Sequence, residues 1–190
     1  MAKTTRYNGV LTLYPVNIRA ISLLKQLKQL IMKNITPFLW FDNNAEEAMN
    51  FYTSVFPNSK IGSVSRYTEA GPGSVGQVMV ATIVINGQRL NLMNGGPGFP
   101  FSWAVSFVVE CENQQEVDHY WEALTADGGE KSQCGWVKDK FGLSWQITPT
   151  IMEKFTSDPD PKKAARVMKA MMKMKKLDIQ TLQDAYDDKL

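Results

Sequence analysis

The chain has 190 residues, of which 44% are hydrophobic and 21% charged, which suits one ordinary soluble domain or two small modules, and no apolar run approaches the ~18 residues that a membrane-spanning helix needs. Two cysteines, Cys111 and Cys134, are too few for a disulfide scaffold, and the one histidine, His119, excludes a histidine-rich metal site within one chain. The net charge of +2 conceals a division: residues 1–34 carry six basic and no acidic side chains, residues 35–150 six basic and twelve acidic, and residues 151–190 nine basic and seven acidic, so the acidic centre repels phosphate backbones and no nucleic-acid partner is expected.

Residues 1–32 read as a basic extension. From Ala20 the apolar Leu23, Leu24, Leu27, Leu30 and Ile31 recur at helical spacing, with Lys25, Gln26, Lys28 and Gln29 between them, predicting a short amphipathic helix. A transit peptide or a membrane-surface helix shares this pattern. The reading adopted is upstream sequence ahead of a start at Met32, because a compact domain begins directly after Lys33 and Asn34. No signal peptide is evident, since Arg6 and Arg19 interrupt the early apolar stretches, and a cytoplasmic location is the default.

Residues 33–150 form the central domain. Ile35 to Phe41 predicts a strand; Asp42, Asn43 and Asn44 offer capping oxygens; and Ala45 to Val55 predicts a helix that Pro57 and Asn58 end. Three strands follow over Lys60 to Tyr67, Gln77 to Ile85 and Gln88 to Asn94, with Asn86-Gly87 as a type I′ hairpin signal. The pattern then restarts: strand Trp103 to Val109, cap Glu110 to Asn113, helix Gln114 to Ala126, and strands Glu130 to Asp139 and Leu143 to Thr148. A shift of 68 positions lays Phe41-Asp42 on Val109-Glu110 and Phe51-Tyr52 on His119-Tyr120. The domain reads as duplicated, with modules over 33–98 and 99–150 lying side by side in one curved sheet with outer helices.

Alternation along the strands sends Trp103, Val105, Phe107, Val109, Leu143, Trp145 and Ile147 toward the helices. Ser106, Ser144, Gln146 and Thr148 then face the open side, joined by Cys134, Trp136 and Lys138 if Val137 points to the core. Such a polar face serves a small-molecule site or is a solvated sheet surface. Residues 151–190 form a Met-rich helical tail. It has a helix start at Asp160-Pro161, a stripe of Ala164, Val167, Met168, Met171 and Met174, and a second short helix from Asp178, packing on its own chain or on a neighbouring subunit.

Three stretches carry a family resemblance: Ile35-Thr36-Pro37-Phe38-Leu39-Trp40-Phe41-Asp42, Ala45-Glu46-Glu47-Ala48 leading to Phe51-Tyr52, and Cys134 to Gln146. Together they resemble the PhnB-like branch of the vicinal oxygen chelate superfamily, the glyoxalase and bleomycin-resistance fold, over about residues 33 to 188. The resemblance implies an α+β fold of two paired βαβββ modules forming a curved, cup-like mixed sheet, and a homodimer. Members of this branch are often labelled 3-demethylubiquinone 3-methyltransferase, a name that the motifs here do not justify. In metal-dependent relatives four cup-facing positions supply His, Gln or Glu ligands; alignment puts them near Ile35, Leu90, Ala104 and Gln146, and a one-residue shift recovers only Thr36 or Asn91. One amide cannot replace three or four ligands, so no metal and no other cofactor are expected.

The leading functional reading is a metal-independent protein that binds a small organic molecule in the cup, with catalysis left open. Lys138 and Gln146 are the catalytic candidates: Lys138 as acid, base or electrostatic clamp, Gln146 orienting the ligand. Ser106, Cys134, Trp136 and Ser144 are the ligand-binding candidates, although Cys134 has no histidine to activate it and the base rate favours a small buried hydrophobe over a nucleophile there. A non-catalytic, resistance-type sequestering protein is the alternative. Methyl transfer ranks third, because Gly71 to Gly76 and Gly95 to Gly98 do not open helices.

Overall fold

The computed structural model describes residues 4–7, 10–13 and 35–190. The chain divides into two compact units, Met1–Thr36 and Pro37–Leu190. In the first, β1 (Thr4–Tyr7) pairs antiparallel with β2 (Val10–Leu13). The amphipathic helix expected from Ala20 to Ile31 and the start at Met32 lie outside the described residues.

The second unit shows the duplication directly. Its first module runs β3 (Phe38–Phe41), α1 (Ala45–Val55), β4 (Ser59–Arg66), β5 (Val78–Ile85) and β6 (Gln88–Asn94); its second runs β7 (Ser106–Cys111), α2 (Gln114–Thr125), β8 (Glu130–Lys131), β9 (Trp136–Lys138) and β10 (Ser144–Pro149). The strand orders are β3-β6-β5-β4 and β7-β10-β9-β8, and in each the first pair is parallel and the others antiparallel. The paired βαβββ modules are therefore present in an α+β fold, and the strands pair within each module, as two four-stranded mixed sheets.

Local chemistry explains the boundaries. Asn86 and Gly87 both have positive φ, 46° and 85°, as the hairpin signal requires. Asn113 caps α2 by accepting from the Glu116 N–H at 3.0 Å, whereas Asn44 makes no such bond and the Ala45 N–H donates instead to Asn94 Oδ1 of β6 at 2.8 Å. Two strands differ from expectation. Trp103 and Ala104 form a turn, so β7 starts at Ser106. The strand expected over Glu130 to Asp139 breaks into β8 and β9, because Cys134 and Gly135 adopt consecutive positive φ values of 57° and 83° that no strand accommodates.

One core joins the modules. Phe56 of the first stacks on Tyr120 of the second at 5.3 Å between ring centroids, and Tyr52 and Phe56 both meet Trp145. At its centre lies Asp139, almost wholly buried. Its Oδ2 accepts from Tyr52 Oη at 2.8 Å and Trp145 Nε1 at 2.9 Å, and its Oδ1 from the N–H groups of Phe141 at 2.9 Å and Leu143 at 3.0 Å. Burial raises the carboxyl pKa from its ordinary 3.8, an effect the four donors only partly offset, and burial beside this carboxyl raises that of Tyr52 well above 10.0.

The tail comprises α3 (Ile151–Thr156), α4 (Pro161–Met171) and α5 (Ile179–Tyr186), with Asp160 and Asp178 as the N-caps that the sequence suggests. It packs on its own chain. Met152, Phe155, Val167, Leu177 and Leu182 form a small second core, while Met168 of the expected buried stripe is exposed. The turn after α4 fastens to the second module: the N–H groups of Cys134 and Gly135 donate to the carbonyls of Met174 and Lys175 at 2.8 and 2.7 Å. Among the described residues no helix is long and apolar enough to cross a membrane.

Asp139→Ala strands two buried side-chain donors and should lower the free energy of unfolding by about 3 kcal/mol, against about 1 kcal/mol for Tyr52→Phe, in urea titrations; equal losses would contradict the central role of the carboxyl. Because the folded-state pKa of Asp139 lies above the unfolded one, its contribution is fully present below the unfolded pKa and declines as pH rises through the raised native pKa. Asp139→Asn should remove that step from the stability profile.

Candidate functional site

The pairing register identifies the open face of the second module. Ser106, Ser144 and Lys138 form one cross-strand row on β7, β10 and β9, and Val108, Gln146 and Trp136 form the next. Val137 is fully buried on the opposite side with Val109, Trp145 and Ile147, which satisfies the condition that sends Trp136 and Lys138 to this face. Gln146 Nε2 donates to Ser106 Oγ at 2.9 Å. That bond leaves the Ser106 hydroxyl proton and the Gln146 carbonyl oxygen to serve a ligand.

Trp103 occupies this face rather than the helix side expected for it. From the turn before β7 it folds over the sheet, its ring edge-on to Trp136 at 6.1 Å, with Lys138 Nζ 4.2 Å from its centroid. Lys138 Nζ also lies 3.6 Å from a Glu130 carboxylate oxygen. Both neighbours attract the positive charge. Val105 is likewise exposed rather than packed on a helix. Ser144 is fully buried beneath the same turn, where its hydroxyl donates to the Ser102 carbonyl at 3.2 Å. The structure thus brings Ser106, Trp136, Lys138 and Gln146 together, sets Ser144 under them as a support, and places Cys134 apart, against the tail. His119 packs beside Tyr120, its Nε2 3.3 Å from the Val55 carbonyl.

The matching face of the first module escaped the sequence reading. Phe38, Asn91 and Thr82 pair there as Ser106, Ser144 and Lys138 do in the second. Thr82 Oγ1 donates to Asn91 Oδ1 at 3.0 Å, and Ser63 Oγ lies 3.3 Å and Arg89 Nη2 3.4 Å from Thr82 Oγ1. The available signal was Thr82 as the lone polar side chain within Val78–Ile85. A second missed feature is a groove of about 310 Å³ between the modules, lined by Phe56, Leu90, Phe107, Glu110, Tyr120 and Trp145.

The metal positions aligned from the sequence need correction in two places. Leu90 is buried toward the helix, so Asn91 is the open-face residue, and Ala104 belongs to a turn. The two faces offer the hydroxyls of Ser63, Thr82, Ser106 and Thr148, the amides of Asn91 and Gln146, the cations Arg89 and Lys138, and two carboxylates, Glu130 beside Lys138 and Glu110 opposite Thr148. The Glu130 carboxylate is taken up by the Lys138 ammonium and Glu110 stands two rows from Ser106, so the anionic donors do not gather into the set of three or four that a divalent ion calls for. Among the described residues no three His, Cys, Asp or Glu side chains converge.

A family described as 3-demethylubiquinone-9 3-methyltransferase matches residues 33–148. Among solved structures, a PhnB protein from Bacillus cereus with the same description is 41% identical, covering 62% of this chain and 100% of its own, with a TM-score of 0.57. Protein PA1353 from Pseudomonas aeruginosa is 20% identical, covering 62% of this chain and 98% of its own, with a TM-score of 0.52, a likeness of fold alone. No curated protein matches.

Among the described residues, the glycine-rich loops that the methyl donor S-adenosylmethionine of such a description would call for, Gly71 to Gly76 and Gly95 to Gly98, lead into strands and open no helix. A side chain at Gly73 would come within 2.3 Å of the Tyr67 ring and one at Gly95 within 2.2 Å of the Trp40 ring, so aromatic rings already fill the space these glycines leave. Tyr67 and Trp40 are fixed there by hydrogen bonds to the carbonyls of Asn94 and Gly96. Gly73→Ala and Gly95→Ala should each destabilise the protein by about 1–3 kcal/mol through overpacking, read as a lowered thermal midpoint; unchanged stability in both would show that the rings do not need this space.

Proposed function

The chain belongs to the PhnB-like family described as 3-demethylubiquinone-9 3-methyltransferase, and from that premise we propose that it binds a small organic molecule on the open face of the second module without a divalent metal. The observation that carries this reading is the convergence of Lys138, Trp103, Trp136, Ser106 and Gln146 on one sheet face. An ammonium, a hydroxyl proton, a free amide oxygen and two indole walls suit a planar ligand bearing an anionic or strongly accepting group. The metal-independent part of the proposal rests on the donor chemistry of the two faces, where neutral oxygens predominate and the nearest carboxylate, Glu130, is engaged by Lys138.

Lys138 acts as the electrostatic clamp, Gln146 and Ser106 orient the ligand, and Ser144 holds the Trp103 turn in place. Contacts of the Lys138 ammonium with Glu130 and the Trp103 ring favour a binding role for it over proton abstraction. Sequestration therefore stands beside catalysis as the outcome of binding, and turnover separates them. Consumption of more than one equivalent per chain means catalysis, and stoichiometric capture means sequestration. The exposed Phe38, Val105 and Val108, together with the outer edges of β3 and β7, which pair with no strand among the described residues, support a homodimer. Two free cysteines suit a reducing compartment such as the cytoplasm.

Calorimetric titration with aromatic carboxylates, and native mass spectrometry of protein from its own host, test the site. Binding should persist in a chelator and weaken at least about tenfold in Lys138→Met and in Gln146→Ala, which remove charge-assisted and orienting hydrogen bonds. Stoichiometric divalent metal in the purified protein, or binding indifferent to both substitutions, would overturn the assignment.

A further inference from the structure

A cleft of about 440 Å³ opens in the tail, between the last turns of α4 and the length of α5. The chain from Pro161 to Leu177 carries seven Lys or Arg side chains and no Asp or Glu. Three of these, Arg166, Lys169 and Lys173, line the cleft at intervals of three and four residues, so they share one helical face. Ala170 and Met174 adjoin them on that face, and α5 contributes Thr181 and the buried Ala185, one turn apart. The result is an apolar floor with a cationic rim.

The three cations are not equally free. Arg166 is committed to holding the helices together: its Nε donates to the Ala185 carbonyl at 2.9 Å and its Nη2 to the Tyr186 carbonyl at 2.8 Å, at the end of α5. Asp188 also lines the cleft, and its carboxylate is taken up by the same guanidinium at 3.3 Å. Lys169 and Lys173 form no ion pair among the described residues, whereas nearby Lys176 reaches Asp118 at 2.7 Å. Both are exposed, and like charges one turn apart on one face repel each other. An anion seated between them relieves that repulsion.

We propose that this cleft binds one linear aliphatic carboxylate, with its head group between the Lys169 and Lys173 ammonium groups and its chain along Ala170, Met174 and Ala185. The carboxylate supplies acceptors for charge-assisted hydrogen bonds from both lysines, and the chain removes the apolar floor from water. The Met174 thioether adapts its shape to such a chain. At about 30 Å³ for each water-sized group, 440 Å³ takes on the order of ten to fifteen non-hydrogen atoms, the size of a medium-chain acid such as decanoate. The site is separate from the open face of the second module and lies beyond the residues matched by the family.

The test is calorimetric titration of the full-length chain with decanoate below its micellar range, with decanol and decyltrimethylammonium as the neutral and cationic probes. One decanoate should bind per chain, decanol should bind at least about tenfold more weakly, and the cationic probe should not bind. The double variant Lys169→Gln, Lys173→Gln, at two exposed positions, should weaken decanoate binding at least about tenfold. Ala170→Phe, which fills the cleft, should abolish it, with folding of both variants confirmed by circular dichroism. Absence of saturable binding, equal affinity for decanol, or undiminished affinity in either variant would overturn the proposal. So would loss of decanoate binding in Lys138→Met, which would move the acid to the open face; titration with aromatic carboxylates tests that face separately.

Discussion

The fold depends on a buried carboxylate that no cation neutralises among the described residues. Asp139 sits where the two modules meet, and every contact that offsets its desolvation is a hydrogen bond: two from main-chain N–H groups of its own turn, one from Trp145 of β10, and one from Tyr52 of α1. The last of these spans 87 residues and ties the helix of the first module to the strand turn of the second. Aromatic rings close around it, Tyr52 with Phe51, Phe141 and Trp145, and Phe56 with Tyr120 and Trp145. A half-satisfied group at such a place would be worse than an apolar one, so the network is useful only when complete. The nearby cation Lys140 does not complete it; its ammonium goes to Glu47 and lies over Phe51 and Phe141, outside the buried cluster.

With the modules locked through their helix sides, the opposite faces of the sheets are free to differ. The scaffold repeats row for row, but its contents do not. Where the first module sets Phe38, Asn91 and Thr82, the second sets Ser106, Ser144 and Lys138; where the first sets Trp40, Met93 and Val80, the second sets Val108, Gln146 and Trp136. Core positions keep their character across the duplication because packing constrains them, whereas the open faces answer only to what they bind.

That division also explains what could be read from the sequence. The duplication, both long helices, the Asn86-Gly87 hairpin and the span of β6 were legible, since each rests on local periodicity or on a turn with one conformational solution. The open face was legible in part. Strand alternation brings Ser106, Gln146, Trp136 and Lys138 to one side, but it fails wherever the chain leaves the strand. Trp103 reads as one more inward residue until the turn at 103–104 carries it over the sheet, and Cys134 reads as a strand residue until its left-handed backbone redirects it. Leu90 and Asn91 differ by one position and lie on opposite faces, so a register taken by analogy inverts the side chain at that site. Asp139 was the least legible. Nothing in the sequence singles it out between Lys138 and Lys140, and only the three-dimensional placement of Tyr52 and Trp145 shows that their polar ends need an acceptor there.

Gly135 is one of the residues that join the tail to the open face. The Gly135 N–H donates to the Lys175 carbonyl, while the Gly135 carbonyl accepts from the Ile147 N–H at 2.8 Å, so this glycine lies between the tail and β10. No larger residue fits, because a side chain there would come within 2.7 Å of the Ile147 carbonyl and within 3.3 Å of Leu177, and φ is positive. The next residue is Trp136, the aromatic wall of the proposed ligand face, and the preceding one is Cys134, whose sulfur meets Met172. The backbone bonds of Cys134 and Gly135 thus hold the turn after α4 directly against the residues that lead into β9 and its Trp136 and Lys138.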